Sequence, residues 1–206
     1  MGNFYFPMAK VISHVGVRER MVSGLPSLAE IKERITQADP QSLWLLHGYE
    51  AHPPEITFSQ RMTLRVGEQT FHLMNLPGHT PMQVCVYIPR ERVAFTGDNV
   101  FCRVQTFLHE AAPEEWLESL QRIGELDADV LVPGHGEVCD RGYLGEQAAV
   151  IHDWMDAVKE AKSKGLTPEE AVKQLKLKRD YPMGQGLHGM ESWLREMNVN
   201  SLWKRV

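Results

Sequence analysis

The sequence predicts a mixed α/β fold, and three observations lead to this prediction. Apolar and polar residues alternate between residues 56 and 96, which is typical of half-buried antiparallel strands. Helical spacing of apolar residues returns at Pro113, and an apolar run at 129–132 predicts a further, buried strand. Helical patterns then dominate. We therefore expect one α/β (α+β) domain over residues 1–206, with 143–206 as a mostly helical C-terminal part.

Before residue 56, the strongest local signal is the start of a helix. Ser27 is an N-cap residue, and Glu30, three positions later, completes a capping box. This helix is predicted to end at about Gln37. The other elements predicted in this part of the chain are a strand at 9–14, a helix at 15–23, and a helix followed by a loop at 40–55.

Turn signals separate the central strands. Val66-Gly67-Glu68-Gln69 predicts a hairpin turn, and Pro89-Arg90-Glu91 predicts a second connection. The predicted strands are 56–58, 62–66, 70–76, 83–88, 92–95 and 129–132. Helices are predicted to begin at Pro113, near residue 143 and after the N-cap Thr167, and a glycine-rich loop at 184–189 precedes a final amphipathic stretch.

The composition excludes several classes of protein. With 43% hydrophobic and 24% charged residues, the chain has the composition of a globular protein. The net charge of −5 argues against nucleic acid as a partner, and no apolar run approaches the roughly 18 residues of a membrane span. The opening residues carry no signal peptide, which favours a cytoplasmic location. The nine histidines direct attention to metal or acid–base chemistry.

Three short segments carry potential metal ligands, each placed directly after a predicted strand. They are Pro77-Gly78-His79, Gly97-Asp98 and Pro133-Gly134-His135, so that successive ligands are 19 and 37 positions apart. Each segment alone is typical of a turn, but two chance Pro-Gly-His triplets in such a length have odds of about one in ten thousand. Two imidazoles and a carboxylate suit Zn²⁺ or non-haem iron, and a carboxylate can bridge two ions.

These segments resemble the motifs of the metallo-β-lactamase superfamily, over about residues 2–140. His79, Asp98 and His135 stand where the family's Pro-Gly-His-Thr, Gly-Asp and Pro-Gly-His-Gly motifs carry metal ligands. The resemblance is closest to the hydrolase branch near glyoxalase II. It implies an αββα sandwich with the metals at one sheet edge, His79 in the first metal site, His135 in the second and Asp98 between the ions.

The family's first motif, His-x-His-x-Asp-His, does not occur in this sequence. In relatives it supplies three histidine ligands and the aspartate that orients the attacking water. Residues 2–7 match the stretch that follows this motif, so we expect the chain to begin beyond it, truncated at its N-terminus and without the first strands of the N-terminal sheet. Metal binding should then be weak or partial, because each ion is under-coordinated. A homo-oligomer could cover the exposed sheet face.

By resemblance, the expected function is that of a zinc-dependent hydrolase, with two Zn²⁺ in an intact member. The partner would be a small-molecule substrate, since a metal-activated water would attack an acyl compound: a thioester, lactone, ester or β-lactam. Two alternatives remain, a non-catalytic remnant with half of the metal site and an iron-dependent enzyme similar to persulfide dioxygenases, with Fe²⁺. His109 and His14 are the candidate substrate-binding residues, and a solvated or capping role is the competing interpretation of each.

Overall fold

The computed structural model describes residues 2–185 and 187–206, so Gly186 of the predicted glycine-rich loop lies outside the described residues. The strands are β1 Ile12–His14, β2 Ile56–Phe58, β3 Arg61–Val66, β4 Gln69–Asn75, β5 Val84–Ile88, β6 Val93–Cys102 and β7 Val130–Gly136. The α-helices are α1 Val15–Val22, α2 Leu28–Ala38, α3 Pro113–Gly124, α4 Tyr143–Ser163, α5 Pro168–Gln174 and α6 Glu191–Trp203, and 3-10 helices span Gly2–Tyr5 and Pro40–Leu46. None of the helices in these ranges is long and apolar enough to span a bilayer.

The main sheet has five strands in the order β3-β4-β5-β6-β7. Its first four strands pair antiparallel, as the alternating pattern predicts, and β7 pairs parallel with β6. Helix α3 makes the crossover that a parallel pair requires. The mixed α/β prediction is therefore confirmed. The edge strand β7 and its neighbour β6 are far apart in sequence.

The prediction for 56–58 was wrong in its pairing. This segment was expected to belong to the antiparallel run, but it pairs parallel with β1 in a separate two-stranded sheet, where Ile12 lies opposite Ile56. A period of two residues identifies a strand without identifying its neighbour, which explains the error. The helix predicted after residue 40 is likewise a 3-10 helix that ends at Leu46.

The sequence predicts that each ligand segment follows a strand. The second and third segments instead lie inside their strands. β6 continues through Asp98 to Cys102, and β7 continues through His135 to Gly136. The pairing survives because the register shifts twice, on either side of Gly97, whose φ of +53° suits a glycine. Glycine and proline therefore mark irregularities within two long strands rather than turns at their ends.

The predicted N-caps are confirmed. The side chains of Ser27 and Thr167 each accept the backbone N–H three residues later, and Glu30 and Glu170 complete both capping boxes. Such a cap stabilises its helix by about 1 kcal/mol. The caps thus account for the start of α2, which forms part of the wall described below.

The core lies between one face of the main sheet and the helices α3, α4 and α6. Ala94 and Leu131 are paired neighbours on this face and are fully buried. The largest buried helix residues are Trp116, Trp154, Ile123, Ile151, Leu194 and Leu202. Packing of the sheet on these helices fixes the positions of β6 and β7.

The opposite face of the main sheet also carries apolar side chains, and those near its centre are not part of this core. Phe95 pairs with Val86 on one side and Val132 on the other, and all three lie outside the core cluster. Phe95 is 43% exposed, and Val130 on the same face is 36% exposed. A continuous exposed apolar face is typical of an interaction surface.

One ion pair ties α1 to the loop 103–112, which follows β6. Arg20 donates two hydrogen bonds to the carboxylate of Glu110, at 2.8 and 2.9 Å. Arg20 thereby lowers the pKa of Glu110, and the hydrogen bond is the largest cause of this shift. The pair positions the loop that carries His109.

We expect Glu110→Gln to lower the free energy of unfolding by about 0.5–1 kcal/mol at neutral pH. Because the folded protein depresses the pKa of Glu110, the ion pair stabilises the fold above the ordinary pKa of a glutamate. This contribution is lost as the pH falls through the lower pKa of the folded state. Urea unfolding at several pH values should show the difference shrinking below about pH 4. Glu118→Gln, at an exposed residue without an ion pair in the described chain, is the control. A pH-independent difference would contradict this explanation.

We also expect the chain to self-associate through the exposed sheet face, because association removes Phe95 and Val130 from water. Size-exclusion chromatography should show an oligomer, and Phe95→Thr together with Val130→Thr should shift it toward the monomer. Val138→Thr changes a valine that is 63% exposed elsewhere, so this control should leave the elution unchanged. A wild-type monomer that melts cooperatively would refute this expectation.

Candidate metal centre

The loop that carries His79 is held by the buried side chain of Asn99. Asn99 Oδ1 accepts the backbone N–H of His79 at 3.2 Å, and Asn99 Nδ2 donates to the carbonyl of Leu76 at 2.8 Å. The indole N–H of Trp116 donates to the backbone carbonyl of Asn99 at 2.9 Å. A Cβ at Gly78 would overlap both Asn99 and Trp116, so glycine is required there. The loop backbone is therefore fixed against β6 on one side and α3 on the other.

A second contact fixes the imidazole of His79. Its Nδ1 lies 2.9 Å from the carbonyl oxygen of Phe107. Because a carbonyl only accepts hydrogen bonds, Nδ1 carries the proton and Nε2 keeps its lone pair. Metal-binding histidines are commonly oriented in this way. Nε2 of His79 is thus prepared to act as a ligand.

Asp98 lies between the two predicted histidines. His79 Nε2 is 3.6 Å from Oδ2 of Asp98, and His135 Nε2 is 3.7 Å from Oδ1 of the same carboxylate. His135 stacks on the ring of Phe101, with 5.0 Å between centroids. A Cβ at Gly134 would overlap Asp98 Oδ1, so this glycine makes room for the carboxylate. The structure therefore brings together all three residues selected from the sequence, while their role as ligands remains a prediction.

These distances fit metal coordination better than hydrogen bonding. Separations of 3.6 and 3.7 Å exceed the usual range of an N–H···O bond. Two ligands held about 2.1 Å from one zinc at tetrahedral angles lie roughly 3.4 Å apart. Each carboxylate oxygen thus pairs with one imidazole in the manner of a carboxylate that bridges two ions.

The coordination of each position is incomplete within residues 2–185 and 187–206. No group of three or more His, Cys, Asp or Glu side chains in these ranges is arranged around a single ion. Each of the two candidate positions instead has two potential ligands, one imidazole and one oxygen of Asp98. Catalytic zinc sites commonly have three protein ligands. The donor set and its orientation fit a two-ion centre, but with fewer ligands than such a centre usually has.

Two cavities meet at this centre. The larger, of about 830 Å³, lies against α1 and α2, and the smaller, of about 310 Å³, lies against α6. Both are lined by His79, Asp98, His109 and Arg34, and His135 lines the smaller one. The rest of the smaller cavity is mainly apolar, with Phe101, Phe107, Ile35, Leu187, Met190 and Trp193. A substrate bound across the junction would have access to both imidazoles and the carboxylate.

The two candidate substrate-binding histidines lie in different environments. The ring of His109 is 5.8 Å from that of His79, and its Nδ1 is buried without a hydrogen-bond partner in the described chain. Burial is the largest cause that lowers the pKa of His109, followed by the charge of His79. His14 instead caps α1, where its Nδ1 accepts the N–H of Gly16 at 3.1 Å, and it lines neither cavity. His109 thus lines both cavities, and its substrate-binding role stays a prediction, whereas His14 has the competing capping role.

The sequence analysis did not select Asn99 or Arg34. Asn99 directly precedes the apolar end of β6 at 100–102, and a buried amide requires hydrogen-bond partners, which is the signal that could have identified it. Arg34 lies on an exposed part of α2, and its sequence context carries no comparable signal.

Comparison with known proteins gives a consistent result. Residues 1–135 match the family model of the metallo-beta-lactamase superfamily. A linear primary-alkylsulfatase of a Pseudomonas species is 28% identical over 144 residues, covering 60% of this chain and 26% of the relative. A hydroxyacylglutathione hydrolase of Mesorhizobium japonicum is 32% identical over 72 residues, covering 35% of this chain and 28% of the relative. An atrochrysone carboxyl ACP thioesterase of Aspergillus fumigatus is 26% identical over 117 residues, covering 57% of this chain and 35% of the relative.

Solved structures show the same fold. A metallo-beta-lactamase family protein from Thermus thermophilus superposes with a TM-score of 0.65 at 19% identity, covering 98% of this chain and 69% of that protein. The chain spans only about a quarter to a third of the length of the three curated relatives. The family model nevertheless covers 135 of the 206 residues and includes all three candidate ligands. This chain belongs to the metallo-β-lactamase superfamily.

Proposed function

We propose that this protein is a zinc-dependent hydrolase that acts on an acyl compound. One observation carries the proposal: the two oxygens of Asp98 each face the Nε2 atom of a different histidine, at 3.6 and 3.7 Å. Homology to hydrolases of the superfamily supports the same conclusion.

Zinc bound at this carboxylate would lower the pKa of a coordinated water enough to provide hydroxide near neutral pH. The chain's own residues prepare the site for it. The Phe107 carbonyl holds the proton of His79 on Nδ1, so that Nε2 can bind a cation. The aromatic rings of Phe101, Phe107 and Trp193 give the smaller cavity an apolar wall against which an apolar part of the substrate can pack. His109 lies at the cavity junction, within reach of a polar group on the substrate.

The proposed substrates are thioesters, lactones, esters and β-lactams. Two of the relatives support an acyl compound, since one is named a hydroxyacylglutathione hydrolase and the other a carboxyl ACP thioesterase. The alkylsulfatase relative adds sulfate esters to the compounds that should be assayed. The two cavities at the junction provide room for groups on both sides of the bond that is cleaved.

A non-catalytic remnant is the second candidate function, and one observation favours it. In the described chain each ion position has two protein ligands, which predicts weak metal binding. Iron is a further alternative, because two imidazoles and a carboxylate also bind Fe²⁺ in non-haem oxygenases. An iron-dependent reaction similar to that of persulfide dioxygenases would then replace hydrolysis.

We expect the chain to bind zinc and Gly134→Ala to weaken that binding by about tenfold or more, because the new methyl group displaces the Asp98 carboxylate. Gly145→Ala is the matched control, since a Cβ at this helical glycine has no atom within 4 Å. Competition with a chromophoric chelator measures the affinity. His135→Gln removes one ligand at a half-buried position and should have a similar effect if Gly134→Ala misfolds.

The same proteins should be assayed with chromogenic esters, thioesters, β-lactams and sulfate esters. Zinc binding together with zinc-dependent hydrolysis that both variants reduce would support the enzyme. Equal zinc affinity in the wild type and in His135→Gln would exclude this centre. Absence of both zinc binding and hydrolysis would favour the remnant, whereas activity with Fe²⁺ alone on a persulfide would favour the iron enzyme.

A further inference from the structure

Helix α2 forms one wall of both cavities at the candidate metal centre. Leu28 and Ile31, one turn apart, line the larger cavity, and Ile35 lines the smaller one. Arg34 lies between Ile31 and Ile35 and lines both cavities. Arg34 therefore lies at the junction that His79 and Asp98 also line.

Arg20, Glu110 and Asp98, the other charged side chains at this junction, each face a partner. Arg20 and Glu110 hold each other through two hydrogen bonds. Asp98 faces the two imidazoles. Arg34 makes no hydrogen bond or ion pair in the described chain, so its hydrogen-bond donors are not used by another residue there.

An acidic residue on the same helix interacts with the charge of Arg34 but forms no ion pair with it in the described chain. Glu30 lies one turn before it, but its carboxylate accepts hydrogen bonds from the backbone and side chain of Ser27. Arg34 therefore keeps its guanidinium donors available for a bound anion in the described chain.

We propose that Arg34 binds a negatively charged oxyanion of the substrate, such as a carboxylate, and so selects substrates that carry a charge beside the bond to be cleaved. The proposal rests on the hydrolase function proposed above and adds the class of substrate. A guanidinium can donate two parallel hydrogen bonds to a carboxylate, which an ammonium cannot reproduce. Because Arg34 contacts both cavities, an anion bound there lies at their junction, and the apolar part of the substrate can occupy the smaller cavity.

The test uses two esters of the same length, mono-p-nitrophenyl succinate, which is an anion, and its neutral methyl ester. For Arg34→Ala we expect KM to rise about five- to tenfold with the anion and to change less than about twofold with the neutral ester. The kcat for both esters should stay within about twofold. Arg34→Lys should recover only part of the preference, and added salt should reduce it in the wild type. Arg61→Ala, at an exposed arginine of β3 that lines neither cavity, is the charge-matched control.

A binding measurement separates this proposal from the proposed function. Saturation-transfer NMR on the zinc-free chain compares monomethyl succinate, an anion, with neutral dimethyl succinate. The wild type should prefer the anion, and Arg34→Ala should lose this preference while Arg61→Ala keeps it. If no ester is hydrolysed but the preference is present and depends on Arg34, the hydrolase function fails and the anion site stands. No preference in the wild type, a preference that survives in Arg34→Ala, or an equal loss for charged and neutral compounds would overturn the anion site.

Discussion

The candidate site depends on the parallel pairing of β6 with β7. Asp98 and His135 come from different strands, and the pairing of Phe101 with His135 and of Cys102 with Gly136 holds these strands in register beyond the bulges. Without the bulges, β6 would pair with β7 in one regular register from end to end. The irregular geometry near Gly97 instead directs the carboxylate of Asp98 toward both imidazoles. Packing of the sheet against α3 and α4 keeps this arrangement rigid, since the buried residues along β6 and β7 belong to the same core as those helices.

Rigid strands alone do not position His79, which lies in a loop. A chain of hydrogen bonds from Trp116 through Asn99 to the loop backbone transfers the rigidity of α3 and β6 to that histidine. The Asn99 side chain is buried, and its amide would lose both loop partners, the N–H of His79 and the carbonyl of Leu76, if the loop moved. The cost of leaving a buried donor or acceptor unsatisfied is about 1–3 kcal/mol, which is enough to favour one loop conformation strongly.

Much of the fold follows from local signals in the sequence. The caps at Ser27 and Thr167 and the alternating strands depend on residues close together in the chain, and these predictions are confirmed. The pairing of 56–58 with β1 and the continuation of β6 past Gly97 depend on distant partners, and the sequence does not specify those. The site divides in the same way. His79, Asp98 and His135 are marked by short motifs, whereas Asn99 and Arg34 acquire their importance only from contacts across the fold.

The loop 103–112 performs three tasks at once. It contributes the Phe107 carbonyl that orients His79, it places His109 at the cavity junction, and it is tied to α1 through Glu110. The number of residues in the loop is therefore constrained both before Phe107 and between Phe107 and Glu110. An inserted residue before Phe107 would withdraw the carbonyl and allow the other tautomer of the imidazole, whereas an insertion between Phe107 and Glu110 would strain the link to α1. Evolutionary change in substrate preference is therefore easier on α2, where side chains can vary without altering the backbone that aligns the ligands.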